Sequence, residues 1–141
     1  MQRLYGLPET ALIDMGDFVG GLLKYLRDRP LARLTLAGGF AKLSKLAAGH
    51  LDLHSRRSRV DIDGLAEALV AAGAGPGLAA TARRAASAAE VLALAAAEGI
   101  PLADLVAARA RETALATIAG GTAVEVVIFD RAGRLVGRAP R

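Results

Sequence analysis

The chain has 141 residues, 53% hydrophobic and 4% aromatic, with no cysteine and a formal net charge of +4. That length suits a single domain with its own core, and the missing thiols exclude disulfides, cysteine nucleophiles and cysteine-ligated metal clusters. The start, MQRLYGLPETALIDMG, has no basic region followed by a long apolar run, and the most apolar later stretch breaks at Gly99-Ile100-Pro101. Neither a secretory leader nor a membrane span is therefore expected, and a cytoplasmic setting is the default.

In chain order, Thr10 to Met15 (TALIDM) reads as a short strand ending at Gly16-Asp17, and Phe18 to Arg29 shows helical spacing through Phe18, Leu22, Tyr25 and Leu26. Pro30 stops that helix. Arg33 to Ala37 (RLTLA) predicts a second strand entering Gly38-Gly39, and Ala41 to Ala48 a helix closed by Gly49. Strand, glycine turn and helix, twice over, is the pattern of a parallel α/β fold, in which ligands collect at the carboxyl ends of strands. Asp61 or Asp63 can cap a helix to about Ala72, and Gly73 to Gly77 is a break. An alanine-rich helix over 77–86 precedes a capping box at Ser87-Ala88-Ala89-Glu90, which opens another helix ending at Gly99. Pro101 then starts a long helix, striped by Leu105, Ala108, Leu115 and Ile118, down to Gly120-Gly121. Thr122 to Asp130 is the strongest strand signal, and Arg131 to Arg134 turns it into Leu135 to Ala139. The expected fold is α/β: a Rossmann-like three-layer single domain over residues 1–141, with a small mixed, mainly parallel sheet and a C-terminal β-hairpin.

Charge is concentrated in one place. Lys42, Lys45, Arg56, Arg57 and Arg59 against Asp52 give the segment 42–59 a surplus of four, equal to the net charge of the chain, and both histidines lie there. Guanidinium groups suit bidentate contacts with carboxylate or phosphate, so an anionic partner is expected. No aromatic side chain lies between the arginines to stack on bases, which disfavours nucleic acid and favours a small polyanion. His50 and His54 have the i, i+4 spacing of a metal pair, but Gly49 ends the helix before them and no third ligand is near, so no metal is expected. Hydrogen bonding to a substrate, or proton transfer, is the expected role for these histidines, since imidazole as a residue type both donates and accepts. The turn Gly16-Asp17-Phe18-Val19-Gly20 and the turn Gly38-Gly39 each open a helix where an anion or cofactor can sit. Neither matches a dinucleotide fingerprint or a P-loop.

ETALIDMGDFVG (9–20), LTLAGGFAKLSKLAAG (34–49) running into LDLHSRRSRVD, and AVEVVIFDRAGRLVGRA (123–139) together resemble the CbiD family. This is the cobalt-precorrin-5B (C-1)-methyltransferase, or cobalt-precorrin-6A synthase, of anaerobic cobalamin biosynthesis. The family's Gly-Asn-Phe-(Ile/Val)-Gly turn stands here with Asp17 for the usual Asn; Lys42, Lys45, Gly49, His54 and Ser55 match, with Ala41 for Gly and Leu53 for Thr. The resemblance covers the C-terminal half of the family protein; its N-terminal domain, with a Thr-Thr-Gly-Thr-Cys-type motif, has no counterpart here. It implies methyl transfer from S-adenosylmethionine to a polycarboxylated cobalt tetrapyrrole. Donor contacts would come from Gly16, Asp17, Phe18, Gly20, Gly38 and Gly39; substrate contacts from Lys42, Lys45, His50, His54, Ser55, Arg56 and Arg59; and His54 would be the candidate base. A noncatalytic module binding a nucleotide or small polyanion, and a basic nucleic-acid-binding domain, are the competing readings, and a homo-oligomer stays open.

Overall fold

A computed structural model describes residues 2–54 and 59–141. The first strand expected from the sequence does not form. Pro8 leads instead into a 3-10 turn at Glu9–Ala11, closed by Ala11 N–H donating to the Pro8 carbonyl and Leu12 N–H to that of Glu9. The Asp14 carboxylate then accepts from Gly16 N–H at 2.9 Å. Local bonds of this kind give the backbone an alternative to a sheet ladder, and Leu12 and Ile13 remain exposed.

The other elements follow the pattern closely. After a short α1 (Gln2–Tyr5) come α2 (Val19–Asp28), β1 (Arg33–Gly39), α3 (Phe40–Ala47), α4 (Ile62–Ala71), α5 (Pro76–Arg83), α6 (Ala88–Ala97), α7 (Leu102–Ile118), β2 (Ala123–Phe129) and β3 (Leu135–Ala139). Asp61 caps α4 by accepting from Gly64 N–H, and Ser87 caps α6 by accepting from Glu90 N–H. Pro76 stands in the first turn of α5, where its missing N–H removes nothing.

The sheet has three strands in the order β1-β2-β3. β1 and β2 are parallel, Leu36 opposite Val126, and β2 and β3 are antiparallel with a register shift at Ile128/Phe129. The sheet is thus mixed, with one parallel and one antiparallel pairing rather than mainly parallel, since the strand expected over 10–15 does not form. The C-terminal hairpin forms as expected. Val124, Val126 and Ile128 point into the core beside Leu36, under α7, which also packs against α2, α3 and β3. β3 comes so close to α7 that a Cβ on Gly137 would stand 2.7 Å from the Ala103 backbone.

Glu125, the alternate residue of β2, faces the other side and is buried. Arg138 donates to it through Nε at 2.7 Å and lies within 2.6 Å through Nη2, Thr35 donates at 3.2 Å, and Arg141 stands 3.5 Å away. Tyr5 of α1 lies beside the same carboxylate without a well-aligned hydrogen bond, and burial, then Glu125, raise its phenol above the ordinary value.

Candidate functional site

The parallel pair β1 and β2 ends at Gly39 and Phe129, and at those carboxyl ends lies a cavity of about 870 Å³. The first turn of α3 and the β2–β3 turn border it, and α6 supplies a wall through Ala89, Ala93 and Ala96. These three are spaced i, i+4, i+7 and so share one helix face. Phe129 and Val136 extend the apolar lining, and Arg131 and Arg134 line the side formed by the β2–β3 turn.

That turn is rigidly made. Asp130 N–H donates to the Arg134 carbonyl, and Gly133, at φ 79°, donates to the Asp130 carbonyl. The Asp130 carboxylate accepts from the backbone N–H of Arg134 and of Ala132 and pairs with Arg134 Nε at 2.7 Å. The backbone bond from Arg134 first, and that ion pair with it, hold the Asp130 carboxyl below the ordinary value despite some desolvation. Arg134 is thus engaged with Asp130, in a pair whose arginine side is open to water, while Arg131 has no ion-pair or hydrogen-bond partner among the described residues.

The residues predicted from the sequence form a neighbouring cluster. Gly20 N–H donates to the Leu51 carbonyl at 2.9 Å and Leu53 N–H to that of Asp17 at 3.0 Å, so the turn at 16–20 and the loop after α3 are stitched together. A Cβ on Gly20 would stand 2.7 Å from that of Leu51, so this glycine serves close packing within the chain. Gly38 likewise has Leu43 against it, whereas Gly16 and Gly39 face open space. Phe18 is 68% exposed.

Lys42, in the first turn of α3, pairs with Asp17 at 3.0 Å, the lysine side chain being 52% exposed. A pair so open to water is worth at most about 1 kcal/mol, so an incoming carboxylate can take Lys42 from Asp17. Lys45 is buried and donates to the Leu53 carbonyl at 3.1 Å, fixing the loop that carries His54. His50, His54 and Arg59 are exposed, and His54 N–H donates to the Asp52 carboxylate at 3.0 Å. Ser55 and Arg56, also expected at the site, lie outside the described residues, as do Arg57 and Ser58. Among the described residues no group of His, Asp and Glu could hold a metal ion, and no helix is long and apolar enough to cross a membrane.

The cavity itself went unread in the sequence. Arg131 stands in a stretch legible only as a hairpin turn, and the alanines of α6 register only as helix formers.

Comparison with known proteins gives the context. A chain from Bradyrhizobium sp. named cobalt-precorrin-5B C(1)-methyltransferase is 56% identical over 139 residues, covering 98% of this chain and 37% of its own length. Proteins of the same name from Burkholderia multivorans and Burkholderia pseudomallei are 53% and 55% identical, over 99% and 96% of this chain and 38% of their own length. This chain thus spans under two fifths of the curated relatives it matches. No solved structure matches. A family model described as CbiD, C-terminal domain, matches residues 52–140, and with that match covering well over half its length the chain belongs to the CbiD family.

Proposed function

We propose that this chain is the C-terminal part of an enzyme that moves a methyl group from S-adenosylmethionine to C-1 of cobalt-precorrin-5B in anaerobic cobalamin biosynthesis. The observation that supports the reading is the near-complete coverage of this chain, at over half identity, by proteins named cobalt-precorrin-5B C(1)-methyltransferase. The remainder of the relatives' length is the N-terminal domain that completes the cleft. On this reading the sheet is the carboxyl-end platform of a Rossmann-like domain in a cytoplasmic enzyme.

Of the glycines, Gly16 and Gly39, with open space where a Cβ would stand, suit close approach of the donor, and the exposed Phe18 beside Asp17 suits its flat base. Gly20 and Gly38 shape the same turns from within. When bound, S-adenosylmethionine supplies a methyl group on a sulfonium centre. The electron pair of the ring carbon forms the new carbon–carbon bond as the carbon–sulfur bond breaks, and S-adenosylhomocysteine leaves. Holding the two reactants in line is the main task, and orientation alone can supply roughly 7–11 kcal/mol of a barrier. Lys42, His50 and Arg59 meet substrate carboxylates, with Ser55 and Arg56 continuing that contact. Lys45 keeps the loop in place, and His54 receives the proton released after transfer.

A chimera tests this reading directly. The C-terminal part of the Bradyrhizobium relative is replaced by this chain and given cobalt-precorrin-5B and S-adenosylmethionine. The expected result is a product heavier by one methyl group; a folded chimera that binds a nucleotide or nucleic acid but transfers no methyl group overturns it.

A further inference from the structure

Two features of the cavity at the ends of β1 and β2 narrow what it can hold. Its volume, about 870 Å³, lies near the upper end of the roughly 300–1,000 Å³ of small-molecule sites. The lining carries one acid, Asp130, already committed to Arg134 and to two backbone N–H groups. In dinucleotide sites an acidic side chain accepts from the ribose hydroxyls, and no uncommitted acidic side chain lines this cavity among the described residues. What the cavity does offer is an alanine wall from α6, with apolar Phe129 and Val136, and one uncommitted guanidinium, Arg131. Short side chains on one helix face make a wall that a flat ring can lie against. A guanidinium at the edge of such a wall pairs with a carboxylate carried on the ring's rim.

From these residues the geometry points to a binding site for one edge of a planar, polycarboxylated macrocycle, its ring against Ala89, Ala93 and Ala96 and a peripheral carboxylate on Arg131. The assignment rests on the methyl-transfer reading for the identity of the macrocycle as a tetrapyrrole. It divides the labour of the site: the α6 and Arg131 side of the cavity takes the acceptor, and the turn at 16–20, with Gly39 on the cavity's border, is left for the donor.

The 141-residue chain is titrated with uroporphyrin III, an eight-carboxylate tetrapyrrole, by fluorescence, and separately with S-adenosylhomocysteine. The expected result is saturable one-to-one porphyrin binding, weakened about tenfold or more by Arg131→Glu, the scale of one charged hydrogen-bonded contact. Ala93→Phe, filling the cavity from an exposed helix position, should weaken it similarly at unchanged melting temperature. Lys24→Glu, an equal charge change on α2, should leave it intact. The site is overturned if the chain binds no porphyrin, if neither cavity variant alters binding, or if Lys24→Glu weakens it as much as Arg131→Glu. It is also overturned if Ala93→Phe abolishes S-adenosylhomocysteine binding instead, which assigns the cavity to the donor and leaves methyl transfer standing. An inactive chimera beside porphyrin binding that depends on Arg131 and Ala93 would remove the methyl-transfer reading and keep the site.

Discussion

Glu125 carries a negative charge out of water in the middle of a strand, and its neighbours decide what that does. Burial alone would raise its carboxyl, but the Tyr5 hydroxyl beside it, the bonds from Arg138 and Thr35 and the Arg138 charge outweigh that and hold it below the ordinary 4.5. A depressed folded-state pKa adds stability that is complete above the unfolded value and is lost as pH falls through the folded one. Urea midpoints should therefore drop as pH falls from about 5 through the folded value, and Glu125→Gln should flatten that dependence. Arg138→Ala leaves the carboxylate short of its nearest cation; since half of the arginine is exposed while the glutamate is buried, the expected loss in urea melts is about 3 kcal/mol, the low end for a broken buried pair. Neither effect is legible in the sequence, where Glu125 is one polar residue in an apolar run and Arg138 lies beyond a turn.

At the level of elements, sequence signals held where a local bond enforces them. Asp61 and Ser87 cap α4 and α6 as their spacing requires, and Ser87→Ala should cost about 1 kcal/mol in a thermal melt. Helix α7 stops at Ala119, which takes φ 63° ahead of Gly120 and Gly121. Because the left-handed region penalises a Cβ by about 1–2 kcal/mol, Ala119→Gly should raise stability by about 1 kcal/mol. Gly137→Ala works in the opposite sense: with Ala103 backbone where the methyl would go, β3 must lift from α7, at about 1–3 kcal/mol. The TALIDM stretch misled because its apolar residues resemble a short strand, while Pro8 and Asp14 provide local bonds that outcompete pairing. The alanine face of α6 faces the opposite difficulty, since composition marks it as helix and only assembly makes it a cavity wall.

For the molecule as a whole, the cavity lies at the carboxyl ends of β1 and β2, and the exposed apolar residues of the first thirteen positions, Leu4, Leu7, Leu12 and Ile13, stand open in this chain. On the proposed reading the rest of the enzyme covers them. Ile13→Asp should then change the stability of this chain by less than about 0.5 kcal/mol, as for an ordinary surface position, yet reduce turnover of the chimera; equal turnover would count against that covering. The basic segment was visible in the sequence as a source of charge, but not which cations are spoken for. That Lys42 already faces Asp17 depends on α3 meeting a turn more than twenty residues earlier in the chain, and that Lys45 turns inward depends on the loop after α3 folding back to present the Leu53 carbonyl.

Thr35 and Glu125, hydrogen-bonded across β1 and β2, are 90 residues apart in the chain, with α3 to α7 between them. Closing so long a loop is entropically unfavourable until the intervening helices have shortened it, so local helices are expected to form early and the parallel strand pairing late. In stopped-flow refolding, helical circular dichroism should then recover before uroporphyrin III fluorescence reports a cavity, because the cavity needs the ends of both strands side by side. A newly made chain would thus be helical for a time while still blind to its ligand, and binding would mark the completion of folding.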